Sequence, residues 1–168
     1  MEIKFLPLHR LHFTLLLKWL NIDHVRKWWD QDIDWTFELI AEKYTSYTQG
    51  LKEDKSIHAY VFSENEVPIG YIQYYDIHDF SRDTSLPYNL PARSAALDFY
   101  IGDPEYLGKG YGRATLKVFC DEVIFQNFDA CFVDPDQKNE VSIKAYASAG
   151  FELFKETEEV VWMVKYRL

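Results

Sequence analysis

A chain of 168 residues, 48% of them hydrophobic, is long enough for one buried core and too short for two ordinary domains. Lysine and arginine number 18 against 27 aspartates and glutamates, a formal charge of −9, which argues against a nucleic-acid partner and favours a cationic one. The apolar content excludes a disordered chain, and 7 glycines and 6 prolines exclude low-complexity and collagen-like readings.

In chain order, Ile3 to Leu6 alternates as a strand and Pro7 breaks it. His9 to Leu20 follows helical spacing, with Leu11, Leu15 and Trp19 four apart and Leu16 and Leu20 widening the stripe. Asp23 is placed to cap a short helix carrying Val25, Trp28 and Trp29. A third helix starts at Asp34 or Thr36, carries Leu39, Ile40, Tyr44 and Tyr47 on its apolar face, and stops at Gly50. Two strands, Ile57 to Ser63 and Val67 to Tyr75, meet at Glu64-Asn65-Glu66. Asp76 to Arg93 is glycine-free and polar, long for an internal connection, and reads as a functional or mobile loop. Beyond it come a strand from Ala95 to Ile101 and the run Gly108-Lys109-Gly110-Tyr111-Gly112, which opens a helix ending near Val123. A short strand from Ala130 to Val133, a helix from Glu140 to Ala149, and strands Phe151 to Lys155 and Val160 to Tyr166 complete the chain. This order predicts one α+β domain over residues 1–168, with a mixed, mostly antiparallel sheet flanked by helices and one parallel junction around the Gly-rich helix.

Cys120 and Cys131 form no Cys-x-x-Cys pair and read as buried small hydrophobes, which points to a reducing compartment. The start lacks the layout of a signal peptide, and the apolar run Phe13 to Leu17 is too short to span a bilayer, so a cytoplasmic protein without membrane partners is expected. The five histidines are scattered, and no metal site is expected.

Chemistry concentrates in three places. The glycines of Leu107-Gly108-Lys109-Gly110-Tyr111-Gly112-Arg113 let successive backbone N–H groups converge at a helix start, an arrangement suited to a phosphate or to a plain strand-to-helix turn. A P-loop is excluded because Lys109 is followed by Gly110, and a dinucleotide fingerprint because the turn comes late, after mostly antiparallel strands. Asp98, amid apolar strand neighbours, is either exposed in a cleft or paired, and a carboxylate beside an amine can accept the ammonium proton. Acids recur at Asp76, Asp79, Asp83, Asp134 and Asp136, either as a rim for a polycation or as solvated surface, and Trp28, Trp29 and Tyr74 are candidate flat walls for cation–π contacts.

The Gly-rich turn after the fourth strand, followed by Asn139, Tyr146 and Ala149-Gly150-Phe151, resembles the GCN5-related N-acetyltransferase superfamily over nearly the whole chain. His24 to Trp29, Pro68 to Gln73, Leu97-Asp98 and Asp134-Pro135 are similar to the aminoglycoside 6′-N-acetyltransferases. The resemblance implies the acetyltransferase fold, with a V-shaped splay between the fourth and fifth strands where acetyl-CoA lies. It implies pyrophosphate binding by Gly108, Lys109, Gly110, Tyr111, Gly112 and Arg113. It implies acetyl-CoA contacts along the fourth strand at Phe99, Tyr100 and Ile101, where a backbone N–H would polarise the thioester carbonyl, and a hydrogen bond from Asn139 to the pantetheine arm. Leu107 departs from the usual Arg or Gln at the start of that turn. Asp98 is expected as base or amine anchor and Tyr146 as proton donor to the departing thiolate, with Trp28, Trp29, Tyr74, Asp76, Asp134 and Asp136 on the acceptor. The implied reaction is direct transfer to a primary amine of a cationic small molecule, most simply the 6′-amine of an aminoglycoside, by a monomer or homodimer. The alternatives are N-acylation of a hydroxylysine-type siderophore precursor and a non-catalytic CoA-binding module.

Overall fold

The computed structural model describes residues 1–80 and 89–168, so Asp83 lies outside the described residues. The chain divides into two compact units, Met1–Gln73 with Phe99–Tyr111, and Tyr74–Asp98 with Gly112–Leu168. Strands β1 (Ile3–Pro7), β4 (His58–Glu64), β5 (Val67–Asp76), β6 (Ser94–Ile101), β7 (Ala130–Val133), β9 (Val161–Tyr166) and β8 (Glu152–Glu156) form a seven-stranded sheet in that order. β1 pairs antiparallel with β4, β7 with β9 and β8 with β9, whereas β6 and β7 are parallel. The fold is α+β with a mixed, mostly antiparallel sheet, as the element order predicts. The registered β6–β7 pairing joins Ser94 to Ala130, Ala95 to Cys131 and Ala96 to Phe132, while β6 continues to Ile101.

In the first unit, α1 (Phe13–Leu20), α2 (Asp23–Arg26) and α3 (Phe37–Thr48) precede a small hairpin, β2 (Leu51–Lys52) and β3 (Lys55–Ser56). Helix α1 buries Phe13, Leu16, Trp19 and Leu20. The expected seam through Leu11 is corrected: Leu11 is 84% exposed, because Arg10–His12 form a separate 3-10 turn. In that turn His9 and His12 cap each other, and each Nδ1 accepts a backbone N–H. Asp23 is inside the first turn of α2, and Ile22 occupies the cap position instead. Thr36 does cap α3, its hydroxyl accepting from the Leu39 N–H at 3.3 Å, but Leu39 itself is exposed and the buried stripe is Ile40, Tyr44 and Tyr47.

In the second unit, α4 (Tyr111–Glu122), whose first residue still belongs to the first unit, buries Thr115, Leu116, Phe119 and Cys120. α5 (Glu140–Ser148) buries Tyr146, and β7 is buried along its whole length. Among the described residues no helix is long and apolar enough to cross a membrane, and no group of three His, Cys, Asp or Glu is placed to hold a metal ion.

Candidate functional site

The Gly-rich run forms an exposed turn. A 3-10 turn at Pro104–Tyr106, capped by the Asp103 carboxylate on the Glu105 N–H at 3.0 Å, leads into it. Gly108 and Gly110 have φ of +69° and +86°, and Lys109 stands between them. An L side chain is strained in that region. A Cβ on Gly108 would meet nothing within 4 Å among the described residues, so the backbone angle is what calls for glycine there. α4 starts at Tyr111, and its first-turn N–H groups have no partner one turn earlier. Left-handed glycines feeding a helix start turn backbone donors outward, and Lys109 and Arg113 add exposed positive charge. These residues fit a phosphate-bearing group.

In the second unit, Tyr146 is 6% exposed, edge-on to Phe151 at 5.5 Å between ring centroids. Burial pushes its phenol well above the usual value, and the negative charges of Asp98 and Asp134 push it further, followed by Cys131 and Cys120. Asp98 and Asp134 are both half-buried. One phenol thus has two carboxylates within electrostatic reach, and it stays protonated across the working pH range. The Asn139 Oδ1 caps α5 by accepting from the Ser142 N–H at 3.2 Å, so this residue fixes the start of the helix that carries Tyr146. Cys120 and Cys131 are both free and buried, as the sequence predicts.

Other expected acceptor residues of this unit have partners within the fold. Asp76 caps its own turn, accepting from the His78 N–H at 2.9 Å. Asp136 accepts from the Lys138 N–H at 2.8 Å and is exposed. Tyr74 is 6% exposed and edge-on to Phe119 and Phe128, a core ring and not an open wall.

In the first unit, Trp28 is exposed beside Lys27, whose Nζ lies 5.0 Å from the ring centroid. With Asp23, Arg26, Lys27 and Gln31, Trp28 lines an open depression of about 500 Å³. Trp29 is half-buried, edge-on to Tyr71 at 5.9 Å and to Tyr100 at 4.9 Å. Tyr100 stacks on Tyr71 at 5.5 Å, so its side chain belongs to an aromatic cluster, while Phe99 and Ile101 are half-buried.

Sequence reasoning gave His24 no individual role. Its Nε2 donates to the Ile101 carbonyl at 2.8 Å, tying α2 to the end of β6. Sequence reasoning also passed over Asp30 and Lys43, a 3.0 Å ion pair beside Tyr44.

Residues 9–159 match the family model for the acetyltransferase (GNAT) domain. The chain is 26% identical over 141 residues to the aminoglycoside N(6′)-acetyltransferase type 1 of Klebsiella pneumoniae, covering 83% of this chain and 68% of that protein. The structure of AAC(6′)-Ib in complex with paromomycin and acetyl-CoA is similar with a TM-score of 0.85 at 25% identity, covering 99% of this chain and 94% of that one. A spermidine N-acetyltransferase from Vibrio cholerae, in complex with CoA and spermine, shares the fold, with a TM-score of 0.74 at 17% identity over 98% of this chain and 95% of that one. With the family match running through both units, the chain belongs to the GNAT acetyltransferase family.

Proposed function

We propose that this chain acts as one catalytic domain that acetylates a primary amine of a polycationic small molecule, the 6′-amine of an aminoglycoside. The observation that carries the reading is the buried Tyr146 phenol with Asp98 and Asp134 in electrostatic reach. Acetyl-CoA supplies the acetyl group as a thioester. The turn Gly108 to Arg113 holds its phosphates through backbone N–H groups, the backbone of Phe99, Tyr100 and Ile101 orients its arm, and Asn139 holds the start of the helix bearing Tyr146.

Asp98 accepts a proton from the acceptor ammonium, leaving a neutral amine. The amine nitrogen forms a bond to the thioester carbon as the carbon–sulfur bond breaks, Tyr146 donates its proton to the departing thiolate, and the acylated nitrogen then gives up its second proton to the resulting tyrosinate, leaving a neutral amide, free thiol and a reprotonated Tyr146. The carboxylates couple the first two proton transfers. An ionised Tyr146 is opposed by the charge of Asp98; once Asp98 has taken the ammonium proton, that opposition is gone. Donation is therefore easiest after deprotonation of the amine, the order that direct transfer requires. Asp134 holds a further ammonium of the substrate. In the first unit, Trp28 and Trp29 are proposed as aromatic surface for the acceptor. Tyr74, packed in the core, takes no direct part, while Asp76 and Asp136 each accept one backbone N–H and keep their remaining oxygen lone pairs for a cation.

Thiol release from acetyl-CoA with kanamycin, tobramycin, spermidine and hydroxylysine tests the reading. Kanamycin and tobramycin should turn over with the product acetylated at the 6′-amine. Their KM should rise steeply as salt shortens the Debye length from about 10 Å at 0.1 M to about 3 Å at 1 M. Turnover of hydroxylysine with none of either aminoglycoside overturns the acceptor, and no thiol release with any amine overturns the reaction.

A further inference from the structure

Asp30 follows Trp28-Trp29 and is itself in the left-handed region, with φ of +49°. Its carboxylate receives the Lys43 ammonium at 3.0 Å. The same Nζ lies 5.1 Å from the centroid of the Tyr44 ring and 5.4 Å from that of Trp35. One carboxylate and two aromatic faces around a single nitrogen make up the chemistry that recognises an alkylammonium. The occupant here is the chain's own lysine.

This occupancy is incomplete. Among the described residues, the buried Tyr44 hydroxyl and Trp35 Nε1 lack a hydrogen-bond partner, and so does the neighbouring Tyr100 hydroxyl. The Trp29 side chain is the polar neighbour of the Tyr44 hydroxyl but does not reach full hydrogen-bond geometry with it. An ammonium has only donors, so it offers nothing to an indole N–H. An ammonium with a hydroxyl on the adjacent carbon, the pattern of an amino sugar, supplies the donor for Asp30 and an acceptor for Trp35 together. Lys43 is also held loosely. The Lys43 and Asp30 side chains are 31% and 30% exposed, and an ion pair so near solvent contributes at most about 1 kcal/mol.

We propose that Asp30, Trp35 and Tyr44 form an ammonium subsite for an amino sugar, filled by Lys43 until a substrate amine displaces it. The subsite deepens the polycation reading above and rests on it for its natural ligand. Lys43 is then a built-in competitor, and its removal strengthens substrate binding. A lysine that merely braced the Trp28-Trp29 segment would have the opposite effect.

Isothermal titration of kanamycin into the full chain without acetyl-CoA separates the two. Lys43→Met keeps the apolar stem and should bind kanamycin about threefold more tightly or better, while Lys43→Arg keeps the competitor and should stay within about twofold of wild type. Adding Asp30→Asn to Lys43→Met should weaken binding about fivefold or more relative to Lys43→Met alone. Lys55→Met, at an exposed lysine of β3, makes the same change in net charge and should leave the affinity within about 1.5-fold of wild type. Lys43→Gln repeats the test if Lys43→Met folds poorly. The subsite is overturned if Lys43→Met binds no more tightly than wild type or no more tightly than Lys55→Met. It is equally overturned if the Asp30 change has no effect, or if no variant binds kanamycin. Loss of acetyl transfer with every amine, alongside the predicted change in affinity, would instead fault the catalytic reading and leave the subsite standing.

Discussion

Gly102→Ala should be among the most damaging small substitutions in this chain. The added Cβ would stand 2.2 Å from Cγ and Cδ2 of Trp19 and 2.5 Å from its Cδ1. Carbon atoms are comfortable at about 3.5–4.0 Å, so the overlap exceeds an ångström. Neither side can yield easily. Trp19 is 1% exposed and edge-on to Tyr100 at 6.3 Å. The Gly102 N–H donates to the Ile69 carbonyl at 2.8 Å, and the preceding Ile101 carbonyl is held by His24 at the same distance. Overpacking of a rigid core costs roughly 1–3 kcal/mol, and an unyielding ring against fixed backbone puts this site at about 3 kcal/mol. For a chain of this size each kcal/mol moves Tm by about 2–4 °C, so thermal unfolding followed by circular dichroism should drop by about 6–12 °C. Trp19→Phe trims the offending ring and destabilises on its own by leaving a cavity. Combined, the two changes should be less harmful than their sum by at least about 1 kcal/mol. If the double variant is additive within about 0.5 kcal/mol, the ring is not what glycine accommodates, and the reasoning fails.

The proton-transfer roles should separate in steady-state kinetics. Asp98→Asn should lower kcat/KM by about 10²–10⁴, and Tyr146→Phe should lower kcat with little change in acetyl-CoA affinity, because the phenol acts on charge that appears only as the thiolate leaves; wild-type rates for both variants would make the residues structural. Gly110→Val should weaken acetyl-CoA binding in calorimetry by at least about tenfold, because a β-branched residue resists the left-handed angle found there. Acid should loosen the start of α1. Burial lowers the His12 pKa, with His9 adding to the effect, and the His12 Nδ1 accepts the His9 N–H only when unprotonated. A lowered folded value means the contribution is present above the unfolded value of about 6.5 and is lost as pH falls through the folded one. Tm should therefore fall below pH 6.5 by more in wild type than in His12→Gln; equal losses would show that His12 is not responsible.

The elements legible in the sequence were those whose signal is local. Thr36 before α3 and the glycines before α4 act through their own backbone, and the structure has them where spacing puts them. The helical stripe of α1 was misread because Leu11 fits the period but precedes the helix, where the two histidines turn the chain in a 3-10 geometry that periodicity does not register. The β2–β3 hairpin was missed for a related reason. Its turn residues Glu53 and Asp54 both have positive φ, at 48° and 63°, without a glycine to announce it, and its strands are two residues long. Asp98 stands out as an acid among apolar strand neighbours, whereas Tyr146 is marked only by the family resemblance, since a tyrosine on a helix face is otherwise an ordinary core residue. Tyr74 misled, since a tyrosine at the end of a strand reads alike whether its ring faces a ligand or packs on Phe119. The Asp30–Lys43 pair had no pattern to find, because a left-handed residue brings it to a helix 13 positions on.

The bond from His24 to Ile101 spans 77 positions and bears on the order in which the molecule assembles. A helix of four residues cannot persist by itself in water. α2 must therefore wait until β6 presents its final carbonyl, and closing so long a loop comes late in folding. The same dependence runs backwards under native conditions. Whenever that one hydrogen bond breaks, α2 loses a tether that its own backbone cannot replace. The segment carrying Trp28 and Trp29 should then open well before the sheet, and its amides should exchange with solvent at a free energy far below that of global unfolding.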